Sequence, residues 1–290
     1  MIVSASYRTD IPAFYAEWFR QRWRAGFVRV ANPYGGPPSR VPLRPPEVDG
    51  YVFWTRNAAP FLPALAEVAD AGVPFVVQFT VTGYPRPLDA ATIAPERAIE
   101  QIEAIVGAFG PGRVVWRYDP VVCSDLTPPA RHAETFDRLA GALEGLVDEV
   151  VVSWLQVYRK TRRNLDAAAR VHDFGWEDPP DEAKRALLGT LAQLARVRGM
   201  RLGLCDQPAL RADGVGEARC IDAGRLARLA GRPIDAALRP HRPSCGCFAS
   251  RDIGTYDTCP HGCAYCYAVA SRIAAKRHFA AHDPGGEFLK

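Results

Sequence analysis

The segment from Asp257 to Phe279, DTCPHGCAYCYAVASRIAAKRHF, carries Cys259-x3-Cys263-x2-Cys266, with the aromatic Tyr265 just before the last cysteine. Three thiolates presented by a tight turn can hold three irons of a [4Fe-4S] cubane and leave the fourth iron open. An open iron can chelate the amino and carboxylate groups of S-adenosylmethionine (SAM), and an electron from the cluster then cleaves a C–S bond to give a radical. Soft sulfur donors suit such clusters, and the positive end of a helix predicted over about residues 264–280 favours thiolate over thiol. The spacing also serves zinc, with His261 or His241 as a fourth ligand. Unligated thiols are the third reading. The x3/x2 pattern favours the cluster, because paired zinc knuckles more often show two C-x2-C pairs.

Four further cysteines crowd the same part of the chain: Cys205 at the end of a predicted strand, Cys220 in EARCIDAGRL, and Cys245 and Cys247 in SCGC. Four thiolates can close a second [4Fe-4S] cluster with no open iron, suited to electron transfer or to holding the C-terminal segment in place. The alternatives are that Cys205 and Cys220 are buried core thiols and that Cys245 and Cys247 belong to a zinc site. Cys123, in a loop after WRYDPVV, reads as a bystander.

What must position these groups is a chain of 290 residues, 48% hydrophobic and 23% charged, with a net charge of +4. That composition is globular, and it permits a phosphate-bearing partner without requiring one. The N-terminus lacks a signal-peptide pattern, and no run of about 18 apolar residues occurs, so the expectation is a cytoplasmic protein with no membrane association. Thiols there stay reduced, which favours metal ligation over disulfides.

Short apolar, β-branched runs alternate with helical periods, the signature of βα units around a parallel sheet. Six strands are predicted, at residues 2–6, 51–55, 74–80, 113–118, 149–156 and 201–205, with helices over 60–71, 95–109, 130–146, 181–198 and 223–230. Residues 26–49 read as an inserted hairpin around PYGGPPSR. The expected fold is α/β: a partial TIM-like (β/α)6 barrel over residues 1–230, with residues 231–290 as a cysteine-rich segment packed on its mouth.

In such folds ligands sit at the carboxyl ends of the strands. Arg8, Asp10, Arg117 and Asp119 fall there and are the predicted catalytic residues, while Arg56, Gln78, Thr80 and Gln156, with Tyr265 of the motif, are predicted to hold cofactor. No G-x-x-x-x-G-K-[ST], G-x-G-x-x-G or G-x-S-x-G occurs, which leaves common nucleotide loops and a serine hydrolase without support. The six histidines follow no motif, and His132 reads as a residue on an amphipathic helix. Basic clusters at 20–24, 158–163 and 275–278 read as solvated helix faces, although Trp23 and Tyr158 offer stacking surfaces for a nucleic acid.

The CxxxCxφC pattern, φ being aromatic, resembles the signature of radical SAM enzymes, whose partial (β/α)6 barrel the six βα units also resemble. Two departures stand out. In that family the motif follows the first strand, whereas here it follows the last, and the Gly-Gly-Glu that holds the SAM amino group is missing after the second strand. A Gly285-Gly286-Glu287 occurs only in the tail. Over nearly its whole length the chain resembles a bacterial family of domain-of-unknown-function type, through SASYRTDIPAFY, VFWTRN, FTVTGY, WRYDP, RCID and CGCFASRDIGTYDTCPHGCAYCYA. That family is similar in turn to radical SAM proteins and, more remotely, to the spore photoproduct lyase group. The resemblance implies a [4Fe-4S] cluster, SAM, an electron donor such as flavodoxin or ferredoxin, and a small-molecule or nucleic-acid substrate. Two other classes stay open: a zinc-stapled barrel acting as a binding module, and an iron–sulfur electron carrier without SAM chemistry.

Overall fold

Strict two-residue alternation decides which side of each strand meets which layer. In the computed structural model, which describes all residues except 33, 34, 241 and 243, eight parallel strands form one sheet. They are β1 (Ile2–Ala5), β2 (Gly50–Thr55), β3 (Phe75–Thr80), β4 (Val114–Val121), β5 (Glu149–Trp154), β6 (Arg201–Leu204), β7 (Gly216–Glu217) and β8 (Ser250–Asp252). The order across the sheet is β7-β6-β5-β4-β3-β2-β1-β8, so chain neighbours are sheet neighbours except that β8 returns beside β1. The two end strands, β7 and β8, are not paired with each other among the described residues. The six expected strands are thus joined by two more from the C-terminal third, which makes an eight-stranded parallel sheet.

In-register residues on the first face, such as Tyr51, Phe75, Val114, Trp116, Val150 and Leu202, are buried in the larger core. Helices α1 (Ala16–Ala25), α2 (Leu62–Asp70), α3 (Pro95–Phe109), α4 (Pro129–Ala142) and α6 (Asp181–Val197) bring Trp18, Leu65, Ile102, Phe136 and Leu188 to the same core. The intervening α5 (Arg159–His172) sends Leu165 into a smaller cluster with Ala264 and Tyr265. Its Asn164 donates to the Val269 carbonyl at 3.1 Å, tying the cysteine segment to the helix. The hairpin forms as expected, Phe27–Val30 against Ser39–Pro42, while Pro33 and Tyr34 of its turn lie outside the described residues.

The second face divides in two along the strands. Ile2, Val52, Val76, Val115 and Val151 pack against Leu226 of α7 (Ala223–Ala230) and the segment that follows. One pleat further on, toward the carboxyl ends, the same face carries Ser4, Trp54, Gln78, Arg117 and Ser153. The apolar half is plugged. The polar half is left to line a site.

Helix α8 is Arg272–Ala280, shorter than the predicted 264–280, because Cys259 to Ser271 forms a turn-rich loop in which Gly262 has φ +75°. Strand β8 fastens this region to β1: Asp252 accepts from Ser4 Oγ at 2.9 Å, Ser6 Oγ at 2.8 Å and the Tyr7 amide at 3.0 Å. A Cβ on Gly254 would lie 1.9 Å from Ser6 Oγ. Ser6 cannot swing aside, because its hydroxyl also accepts from the Arg8 amide at 2.9 Å. Gly254→Ala is accordingly expected to destabilise the protein by about 1–3 kcal/mol, read as a lower urea midpoint at unchanged slope.

No helix of the described residues is long and apolar enough to cross a membrane. Among the basic clusters, Trp23 is 4% exposed in the core, and Arg20 and Arg24 both pair with Glu67. Trp23 is therefore no stacking surface. Cys123 lies in a short strand, buried and paired in register with Glu177, and burial raises its thiol to about 11.

Candidate functional site

The polar half of the second face opens into a cavity of about 680 Å³ at the carboxyl ends of the strands, within the range of roughly 300–1,000 Å³ usual for small-molecule sites. Arg8 and Asp10 enter it from beyond β1, Arg56 from beyond β2, and Thr80 from the end of β3. Arg117 and Asp119 come from β4 and Gln156 from beyond β5. The C-terminal loop brings Cys259, Cys263, Tyr265 and Cys266 to the same space, and Cys205, Cys220, Cys245 and Cys247 line it as well. Seven of the eight cysteines thus share one cavity with the strand-end polar residues. Gln78 lies beneath it. Its Nε2 donates to the Cys220 carbonyl at 3.1 Å and its Oε1 accepts from Arg117 at 3.3 Å, so it positions these groups rather than facing a ligand.

Asp10 is the hinge between the first strand and the cysteine loop. It caps the short helix Ile11–Phe14 through the Ala13 amide at 2.9 Å and accepts from Thr55 Oγ1 and the Arg56 amide, each at 2.8 Å. His261 Nε2 lies 2.8 Å from Asp10 Oδ2. The His261 ring is thereby committed to a carboxylate, and the other zinc-ligand candidate, His241, lies outside the described residues.

Arg56 makes the second link. Its Nη1 donates to Asp89 at 2.9 Å and its Nη2 to Tyr265 Oη at 2.6 Å, while Tyr265 donates to Asp89 at 2.6 Å. Burial works against the guanidinium charge, and Asp89 together with Tyr265, Cys263 and Cys259 more than offsets it. Residues 88–89 also form a backbone bridge with 263–264, in which the Ala264 amide donates to the Leu88 carbonyl at 2.9 Å. Nothing about Asp89 in PRPLDA marked it in the sequence, since it sits in a loop after a strand with no motif of its own.

Burial raises all three motif thiols above their ordinary range. Backbone amides oppose this at two of them: His261 and Asp10 donate to Cys259, and Ala268 donates to Cys266 at 3.3 Å. Arg56 and Lys160 add positive charge near Cys266. Among the described residues, no group of three or more His, Cys, Asp or Glu side chains is arranged to hold a metal ion as it stands.

The far wall is aromatic and cationic. Tyr256 lies between Arg8 and Lys160, at 5.3 and 5.2 Å from the ring centroid, and Arg242 is 5.9 Å from the Tyr267 ring. Sequence reasoning passed over Tyr256, Tyr267 and Arg242; the one available signal was the aromatic density around the cysteines. Two buried donors of the lining, Thr9 Oγ1 and Trp154 Nε1, have no hydrogen-bond partner among the described residues, while Arg8 Nε lies 3.7 Å from Asp252 Oδ1 as an ion pair. Orphans of this kind are what a bound ligand satisfies. Gln156 accepts from Tyr158 Oη, and Asp119 accepts from Arg117 at 2.5 Å and from Ser153 Oγ. The tail Gly285-Gly286-Glu287 is elsewhere: the Gly286 carbonyl accepts from Trp18 Nε1 at 2.9 Å, and Glu287 pairs with Arg29 at 3.0 Å.

No curated protein matches the chain. Among solved structures, the crystal structure of a triazine hydrolase variant is similar over 64% of this chain and 43% of that one, at 15% identity and a TM-score of 0.31. The chain thus spans less than half of that protein, and so distant a likeness carries no argument. The family model described as Domain of unknown function (DUF1848) matches residues 2–268, a span that holds all eight strands, the cavity and the three motif cysteines, and the chain belongs to that family.

Proposed function

We propose that the protein is an iron–sulfur enzyme in which Cys259, Cys263 and Cys266 hold a [4Fe-4S] cluster beside a SAM-binding cavity. The observation that carries this reading is that the three thiols of the x3/x2 motif line the same cavity as the strand-end polar residues. The donor set suits the group: all three ligands are soft sulfur, and backbone amides already point at two of them, as at tuned cluster thiolates. When bound, the cluster supplies one electron and a coordination position at which the C–S bond of SAM is broken.

The chain's own residues do the positioning. Arg8, Lys160 and Arg242 offer positive charge to a carboxylate or phosphate, and Asp119 and Gln156 offer acceptors to ammonium and hydroxyl groups. Trp54, Tyr256 and Tyr267 are apolar faces that exclude water from a reactive centre. The electron comes from a small carrier such as flavodoxin or ferredoxin, and the substrate is a small molecule or a nucleic-acid base. A zinc staple draws less support, because both ring nitrogens of His261 are engaged, Nε2 with Asp10 at 2.8 Å and Nδ1 with the Ala91 carbonyl at 3.4 Å.

The test is iron and sulfide quantification after anaerobic purification, joined to an assay of SAM cleavage under reducing conditions. Wild type should carry both elements and consume SAM, and Cys263→Ala should reduce SAM cleavage to background. Zinc at the motif without sulfide would overturn the cluster. A reducible cluster that never consumes SAM would leave an electron carrier.

A further inference from the structure

The motif cysteines leave a second group of thiols on the opposite side of the same cavity. Cys205 directly follows β6, Cys220 follows β7, and Cys245 and Cys247 lie in the loop before β8. Cys205 Sγ is 3.5 Å from Cys220 Sγ, and Cys247 and Cys245 line the same part of the cavity near that pair. Arg117 Nη1 is 3.1 Å from Cys220 Sγ. Cys220, Cys245 and Cys247 are buried, at 6%, 7% and 3% exposure.

Core packing alone does not account for this arrangement. These cysteines do pack against the apolar cluster of Ile221 and Leu226, but a core thiol needs only hydrocarbon, whereas Cys220 Sγ meets both a second sulfur and a guanidinium. The loop is held in place: the Phe248 amide donates to the Ile221 carbonyl at 3.1 Å, and a Cβ on Gly246 would lie 2.6 Å from Glu217 Oε1 of β7.

We infer that Cys205, Cys220, Cys245 and Cys247 are the ligands of a second, four-thiolate metal centre, taking an iron–sulfur cluster or a zinc ion. Metal binding releases the protons of the thiols that are protonated and puts metal–sulfur bonds in place of the Cys205–Cys220 contact. The centre ties β6, the segment after β7 and the 245–247 loop together, beside the site that holds Cys259, Cys263 and Cys266.

The test uses the full chain in which Cys259, Cys263 and Cys266 are all changed to serine, reconstituted without oxygen with iron and sulfide or, separately, with zinc. The variant is expected to retain about four irons and four sulfides, or about one zinc with no sulfide. Those two arms separate the metals, and either supports the centre. In the loaded variant Cys205, Cys220, Cys245 and Cys247 should resist alkylation until a chelator removes the metal, a readout that needs no further substitution. Adding Cys220→Ser and Cys247→Ser should abolish the metal. A variant that binds neither metal, or whose four thiols alkylate equally fast before and after chelation, would overturn the inference and leave the proposed SAM site standing. Metal content equal to wild type in the triple variant would instead remove the SAM site and leave this centre.

Discussion

Replacing Arg56 by methionine is expected to cost about 3–5 kcal/mol of stability, because it strands a buried carboxylate. Asp89 is 1% exposed, and without the guanidinium it keeps only Thr82 Oγ1 at 2.9 Å and Tyr265 Oη at 2.6 Å as donors. Two neutral hydrogen bonds do not replace an opposite charge held at 2.9 Å inside the protein. The double variant Arg56→Met/Asp89→Asn removes both charges and should recover about half of the loss, so the single and double effects will not add. Urea unfolding at neutral pH gives both numbers. A single variant within about 1 kcal/mol of wild type would mean that the pair contributes little, as exposed pairs do. The same substitution loosens the backbone bridge between Asp89 and Cys263. Faster alkylation of Cys263 in a chain that is still folded should accompany the loss.

That bridge also shows where a single sequence stops being informative. The six longer strands were legible because both faces of the parallel sheet are covered, which writes them as short apolar runs such as FVVQF in β3. β7 and β8 are Gly-Glu and Ser-Arg-Asp, with no apolar run, and pairing at a sheet edge is all that makes them strands. Helix α5 was hidden by its charge, since only Thr161 and Leu165 of its fourteen residues are buried. For the site, the rule that parallel strands offer their carboxyl ends to ligands found Arg8, Asp10, Arg56, Thr80, Arg117, Asp119 and Gln156, and all of them line one cavity. It also brought in Gln78, which alternation places on the right face but too deep to meet a ligand. Asp89, Tyr256, Tyr267 and Arg242 sit on loops, whose course is set by long-range contacts that no local pattern encodes.

His132 gives the fold a pH dependence of its own. It lies on α4, yet it is 1% exposed, so the amphipathic period told its position and not its environment. Nε2 donates to the Val122 carbonyl at 3.0 Å, and Nδ1 accepts from Tyr118 Oη at 2.8 Å, which satisfies the neutral ring at both nitrogens. Burial lowers its pKa from 6.5 to about 4. Above about pH 6.5 neither the folded nor the unfolded chain protonates this ring. Between that value and about 4 only the unfolded chain takes the proton, so stability falls with pH; below about 4 both states take it and the fall from this group ends. At 1.36 kcal/mol per unit, the loss across this window is about 3 kcal/mol. Because other groups titrate alongside, the measurement is the gap in urea stability between wild type and His132→Gln at pH 7, 5.5 and about 4. Glutamine keeps a donor and an acceptor but no titratable nitrogen, so wild type should be the more stable at pH 7, and its advantage should shrink by about 3 kcal/mol at the acid end. A gap that stays constant with pH would mean that the ring takes its proton as readily in the folded protein as in water.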